Sequence, residues 1–71
     1  MKLKVKDYKP GEIMRIIREW TELTQKGFAE SMNISMSTVQ YWEYGKSRYY
    51  FETLMKIAEV HGLEITIEKK N

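Results

Sequence analysis

The segment from Thr24 to Lys46, TQKGFAESMNISMSTVQYWEYGK, limits what this chain can fold into more than any other feature. Its apolar residues recur at helical spacing in two short runs on either side of Asn33. Phe28, Ala29 and Met32 share one side of a helix over about 24–32, and Val39 and Trp42 share one side of a helix over about 35–44. Thr24 and Ser35 stand where a hydroxyl oxygen accepts from the free amides of a helix start. Asn33 and Gly45 stand where a helix end calls for a left-handed residue. The other face of the second helix carries Met36, Ser37, Gln40, Tyr41 and Tyr44, a set with no formal charge that mixes hydrogen-bonding groups with adaptable apolar surface.

A helix that buries one side and offers such a face on the other suits the major groove of double-stranded DNA. The segment resembles the helix-turn-helix of the Cro and phage-repressor (Xre-like) family of bacterial DNA-binding proteins. The matching features are LTQ at 23–25, Ala29 inside the first helix, the hydroxyl start at Ser35, Val39, and EYGK at 43–46. The resemblance extends from about Gly11 to Leu63. Asn33 stands where the family usually has a small residue, often glycine.

The flanks add two strands and two helices to the expectation. Lys2, Lys4 and Lys6 alternate with Leu3 and Val5, a period of two that predicts a strand, and Lys9-Pro10-Gly11 is read as the breaker that ends it. Ile13, Ile16, Ile17 and Trp20 follow helical spacing and predict an amphipathic helix over 12–20, with Thr21-Glu22 as the connection to the next. Phe51, Leu54, Met55, Ile57 and Ala58 describe a fourth helix over about 51–60, closed by Gly62, although Tyr50 takes the cap position where the family prefers a hydroxyl or acid. In the tail, Leu63, Ile65 and Ile67 alternate with Glu64, Thr66 and Glu68, predicting a second strand. The expected fold is mainly α: one helix-turn-helix domain over 1–71, four helices, repressor-like, with short N- and C-terminal β-strands forming a small ribbon. A two-stranded ribbon is marginal alone. A two-fold homodimer through these edges is therefore expected, which also suits half-sites about one DNA turn apart.

The resemblance implies roles for individual residues. The family reads bases with the first, second and sixth positions of its recognition helix, which fall on Met36, Ser37 and Tyr41; Gln40 lies beside them, and glutamine favours adenine. Gln25 corresponds to a glutamine that bonds a phosphate and braces the recognition helix. Ser35, Tyr44, Lys46 and Arg48 are the other expected phosphate contacts, with Tyr44 standing where the family commonly has asparagine. Arg18 and Glu43 occupy positions where the family places an ion pair, and a glutamate beside Trp42 needs a cationic partner. Trp20, Trp42 and Phe28 sit at helical spacing and read as core, and His61 as a helix-terminal residue favoured by the dipole. The implied function is a DNA-binding transcriptional regulator, a repressor from a bacterium, prophage or plasmid. An antitoxin that pairs with a toxin and represses its own operon, or an interaction module that has lost DNA binding, are the alternatives.

Composition bounds the rest. The chain has 71 residues, a formal charge of +2 and no cysteine, so it holds no disulfide or zinc–thiolate site. With one histidine and no nucleophile–base pair or glycine-rich phosphate loop, neither an enzyme nor a cofactor is expected. No run reaches the roughly 18 apolar residues of a membrane span, and MKLKVKDYKPGE lacks an apolar signal region, so the expected location is the cytoplasm, at the nucleoid.

Overall fold

A computed structural model of the chain describes residues 1–70. Its elements are a single 3₁₀ turn, Val5–Asp7, and four α-helices: α1 (Pro10–Trp20), α2 (Gln25–Met32), α3 (Met36–Tyr44) and α4 (Phe51–His61). α1 and α2 both pack against α3, and α4 closes onto α2. Met14, Phe28, Ala29, Val39 and Ile57 make the buried core, one or two from each helix, with Ile17, Leu23, Met32, Ile34, Trp42, Tyr49, Leu54 and Leu63 half-buried around it.

Local chemistry sets the helix ends. The Thr24 hydroxyl accepts from the Gly27 amide at 3.0 Å, and the Ser35 hydroxyl accepts from the Thr38 amide at 3.2 Å. Asn33 closes α2 at φ 57°, and Gly45 and Gly62 close α3 and α4 at φ 77° and 68°, each in the left-handed region. Glu22 also adopts φ 62°, an uncommon conformation for a residue with a side chain, and it turns the chain between α1 and α2. Tyr50 caps α4 without a side-chain bond.

Three expectations need correction. First, Lys9-Pro10-Gly11 does not break the chain but opens α1: Pro10 takes the first turn, where its missing N–H costs nothing, and the Glu12 carboxylate accepts from the Lys9 amide at 2.8 Å. Second, α1 faces the core through Gly11 and Met14 rather than through its whole isoleucine stripe. Ile17 joins the core rim, whereas Ile13, Ile16 and Trp20 stay half-buried outside it. The reason is contact distance. A Cβ on Gly11 would lie 2.6 Å from the Glu43 carbonyl oxygen and 2.8 Å from that of Trp42, so α1 meets α3 along the side where it has no side chain to intervene.

Third, no strand and no ribbon forms among the described residues. The N-terminal alternation winds into the 3₁₀ turn, with the Tyr8 amide donating to the Val5 carbonyl, and Val5 is exposed. The tail from Leu63 on leaves α4 without a ladder partner, and Ile67 is 87% exposed. Alternation prepares a strand face but supplies no partner, and two short strands cannot offset their ordering cost unless that face is covered.

Candidate nucleic-acid interface

α3 is the hub of the fold and carries most of the candidate residues. Val39 points inward, Trp42 packs on the core rim, and Met36, Ser37, Tyr41 and Tyr44 are exposed on the opposite side, with Gln40 half-buried between them. The sequence-predicted set therefore shares one outward face. Ser35 is already engaged at the cap, and its hydroxyl also lies 2.8 Å from that of Thr38 and 3.1 Å from that of Ser37. Lys46 and Arg48 follow α3 and are exposed, and the Lys46 ammonium sits 5.8 Å above the Tyr41 ring, a cation–π geometry that links the basic loop to the helix face.

Arg18 and Glu43 meet. Arg18 Nε donates to Glu43 Oε2 at 2.6 Å and Nη2 to Oε1 at 3.1 Å, while Nη1 donates to the Leu23 carbonyl at 3.0 Å. This fork-to-fork pair joins α1, the α1–α2 connection and the end of α3. It is sheltered, with side-chain exposures of 14% and 2%, and the hydrogen bonds that Arg18 donates to Glu43 raise the guanidinium's pKa above the ordinary arginine value.

The pair extends into a chain of bonds through Gln25, the residue expected to brace the recognition helix, whose partners on α3 were not named from the sequence. Gln25 Nε2 donates to Glu43 Oε1 at 3.2 Å, and Gln40 Nε2 donates to Gln25 Oε1 at 3.3 Å. Positions 25, 40 and 43 have no periodic relation that would announce this, because they lie on two helices; only the crossing of α2 and α3 brings them together. Gln25 was expected to bond a phosphate and to brace the recognition helix, and both ends of its amide bond side chains of α3.

Two further side chains brace the helices from outside. The Tyr49 hydroxyl donates to the Pro10 carbonyl at 2.7 Å while its ring meets Trp42 edge-on at 6.0 Å, and burial raises its pKa. His61 stacks on Phe28 at 5.3 Å. The Ser31 hydroxyl lies 2.7 Å from the Phe28 carbonyl oxygen and 2.9 Å from His61 Nε2, within hydrogen-bond reach of both. The helix-terminal position expected for His61 is thus also a tie between α4 and α2.

Among the described residues no group of His, Cys, Asp or Glu could hold a metal ion, and no helix is long and apolar enough to cross a membrane. A family model described as helix-turn-helix matches residues 14–67, more than half of the chain. The chain belongs to the Cro/C1-type helix-turn-helix family. Comparison with curated proteins and with solved structures finds no match. As a member of the Cro/C1-type family the chain is a DNA-binding helix-turn-helix regulator, with α2 and α3 as its two motif helices.

Proposed function

We propose that this protein is a sequence-specific repressor of a bacterium, prophage or plasmid that lays α3 in the major groove of its operator. The observation that carries the reading is the outward face of α3: exposed, uncharged and rich in hydrogen-bonding groups, with cations beginning only where the helix ends. Met36, Ser37, Gln40 and Tyr41 contact base edges. Gln25, Ser35, Tyr44, Lys46 and Arg48 meet the phosphates and fix register. A base reader needs directional groups in the groove, while charge on the flanking loop suffices for the backbone.

The repressor acts as a homodimer. Supporting this, the tail carries Ile65 and Ile67 exposed on an alternating segment without a ladder partner, a form suited to strand pairing with a second copy. The same tail is the feature that favours the antitoxin reading, in which the added strand belongs to a toxin.

The test compares Tyr41→Ala and Arg48→Ala on a duplex selected by the native protein and on scrambled duplex, across a salt series. Arg48 is a cleaner backbone probe than Lys46, because removing Lys46 also frees the Tyr41 ring. Tyr41→Ala is expected to lower the selected-to-scrambled ratio at an unchanged salt slope. Arg48→Ala is expected to weaken both duplexes alike and reduce the slope by about one. An unchanged ratio for Tyr41→Ala, in a folded variant, would turn the α3 face into a protein-contact surface.

A further inference from the structure

We infer that the N-terminal segment, residues 1–9, is a second DNA-contact element, whose lysines bind backbone phosphates flanking the site read by α3. This rests on the proposed reading of DNA by α3. The segment lies outside residues 14–67, the part of the chain that the family model matches, so the family assigns it no role.

The root of the segment is fixed beside the end of α3. Gly11 comes so close that a Cβ there would lie 2.6 Å from the Glu43 carbonyl oxygen. One residue earlier, the Tyr49 hydroxyl donates to the Pro10 carbonyl at 2.7 Å and ties the same point to the loop after α3. Lys9 consequently lines one cleft with Trp42, Gly45 and Arg48. Glu12, an acid on the first turn of α1, is turned to the Lys9 amide at 2.8 Å. Lys46 follows Gly45 and reaches over the Tyr41 ring. Lys9, Arg48 and Lys46 therefore lead from the root of the segment to the outward face of α3.

Charge is segregated in the same sense. Segments 1–11 and 44–50 together hold six cations and one acid, Asp7, a formal +5 in a chain whose total is +2. The remainder is net acidic, with Glu52, Glu59, Glu64 and Glu68 on α4 and the tail. Lys2, Lys4, Lys6 and Lys9 are exposed, and among the described residues none of them forms an ion pair. Like charges gathered at one end repel one another. A phosphate backbone relieves that repulsion and releases its own counterions in exchange. Nine extended residues reach about 30 Å, more than twice the roughly 12 Å width of the major groove. The segment is long enough to follow the backbone beyond the base pairs under α3.

The experiment measures affinity across a salt series for the native chain, for Lys2→Gln/Lys4→Gln/Lys6→Gln, and for Lys56→Gln/Lys69→Gln/Lys70→Gln. The last is a control that removes the same number of charges from α4 and the tail, at positions that are also exposed. On long duplexes, selected or scrambled, the N-terminal variant should lower the salt slope by about two to three and leave the selected-to-scrambled ratio unchanged. Trimming the flanking base pairs from the selected duplex should erase its difference from the native chain. The control should keep the native slope. An unaltered slope for the N-terminal variant overturns the inference, while base reading by α3 is judged separately by the ratio for Tyr41→Ala. An equal fall in the control also overturns it, because net charge then accounts for the effect. So does a changed base preference, which would make the segment a base reader. Binding to anionic phospholipid vesicles that needs these lysines, with the DNA slope unchanged, would give the segment to a membrane surface instead.

A second readout needs no variant. Backbone amide shifts of residues 2–9 in the native chain should move on titration with scrambled duplex, together with those of Lys46 and Arg48. Movement at Lys46 and Arg48 alone would refute the N-terminal contact.

Discussion

Removing Arg18 should be among the costliest single substitutions in this chain. The Glu43 side chain is only 2% exposed and receives three donors, two from Arg18 and one from Gln25. Arg18→Ala strips away both guanidinium bonds and the donor to the Leu23 carbonyl, leaving a sheltered carboxylate with a single amide. Breaking a buried pair from one side costs about 3–5 kcal/mol; the surviving Gln25 bond places the expectation near ~3 kcal/mol. A chain of 71 residues has a total stability of roughly 4–10 kcal/mol. At about 4–8 °C per kcal/mol for a domain of this size, the melting temperature should fall by roughly 12–24 °C. Urea and thermal melts followed by far-ultraviolet circular dichroism measure this directly. The apolar double variant Arg18→Met/Glu43→Leu should recover most of the loss, because neither charge is then stranded. Glu43 raises the guanidinium's pKa, so the pair's contribution on the arginine side is complete at every pH below the ordinary arginine value and is lost only above it. A loss under about 1 kcal/mol for Arg18→Ala would mean that the pair behaves like an exposed bridge despite its shelter. A double variant no more stable than Arg18→Ala would show that the cost does not come from the stranded carboxylate.

Gly11→Ala should destabilise by roughly 1–3 kcal/mol in the same melts, since its Cβ would meet two α3 carbonyl oxygens under 3 Å away and backbone must move. Tyr49→Phe should cost about 0.5–1.5 kcal/mol at neutral pH through the lost bond to the Pro10 carbonyl. Burial raises the Tyr49 pKa, so the unfolded chain ionises first and the native protein loses stability as pH rises above about 10; Tyr49→Phe should flatten that alkaline decline in a pH series of urea melts. Ile65→Lys/Ile67→Lys should leave the melting curve of the helical body at low concentration unchanged and abolish any dimer seen by sedimentation; a dimer that persists would place the interface elsewhere.

The motif itself was legible because its signals are local. Thr24, Ser35, Asn33 and Gly45 each act within a turn of their own position, and the inward Phe28, Ala29 and Val39 follow from one helical period. What escaped depends on partners remote in sequence. Gly11 and Met14 replace part of the isoleucine stripe because α1 meets α3 at the glycine, which no periodicity within α1 records. The terminal alternation was real, but strand pairing is a two-body event, and the pattern of one segment does not supply the other. The Gln25–Gln40 contact spans two helices and rests on amide geometry rather than on residue type alone.

The nine residues of α3 divide their labour with little overlap, and this bears on how such a protein acquires a new target. Val39, Trp42 and Glu43 answer to the interior, while Met36 and Tyr44 are exposed and Ser37 and Tyr41 touch only surface neighbours, the Ser35 hydroxyl and the Lys46 ammonium. Under the proposed reading of DNA by α3, retargeting can proceed at Met36, Ser37 and Tyr41 by single steps that leave folding intact. Position 40 is the exception. Its amide is bonded to a residue on another helix, so a change there is felt at position 25, and the two positions are expected to drift together across descendants of this sequence.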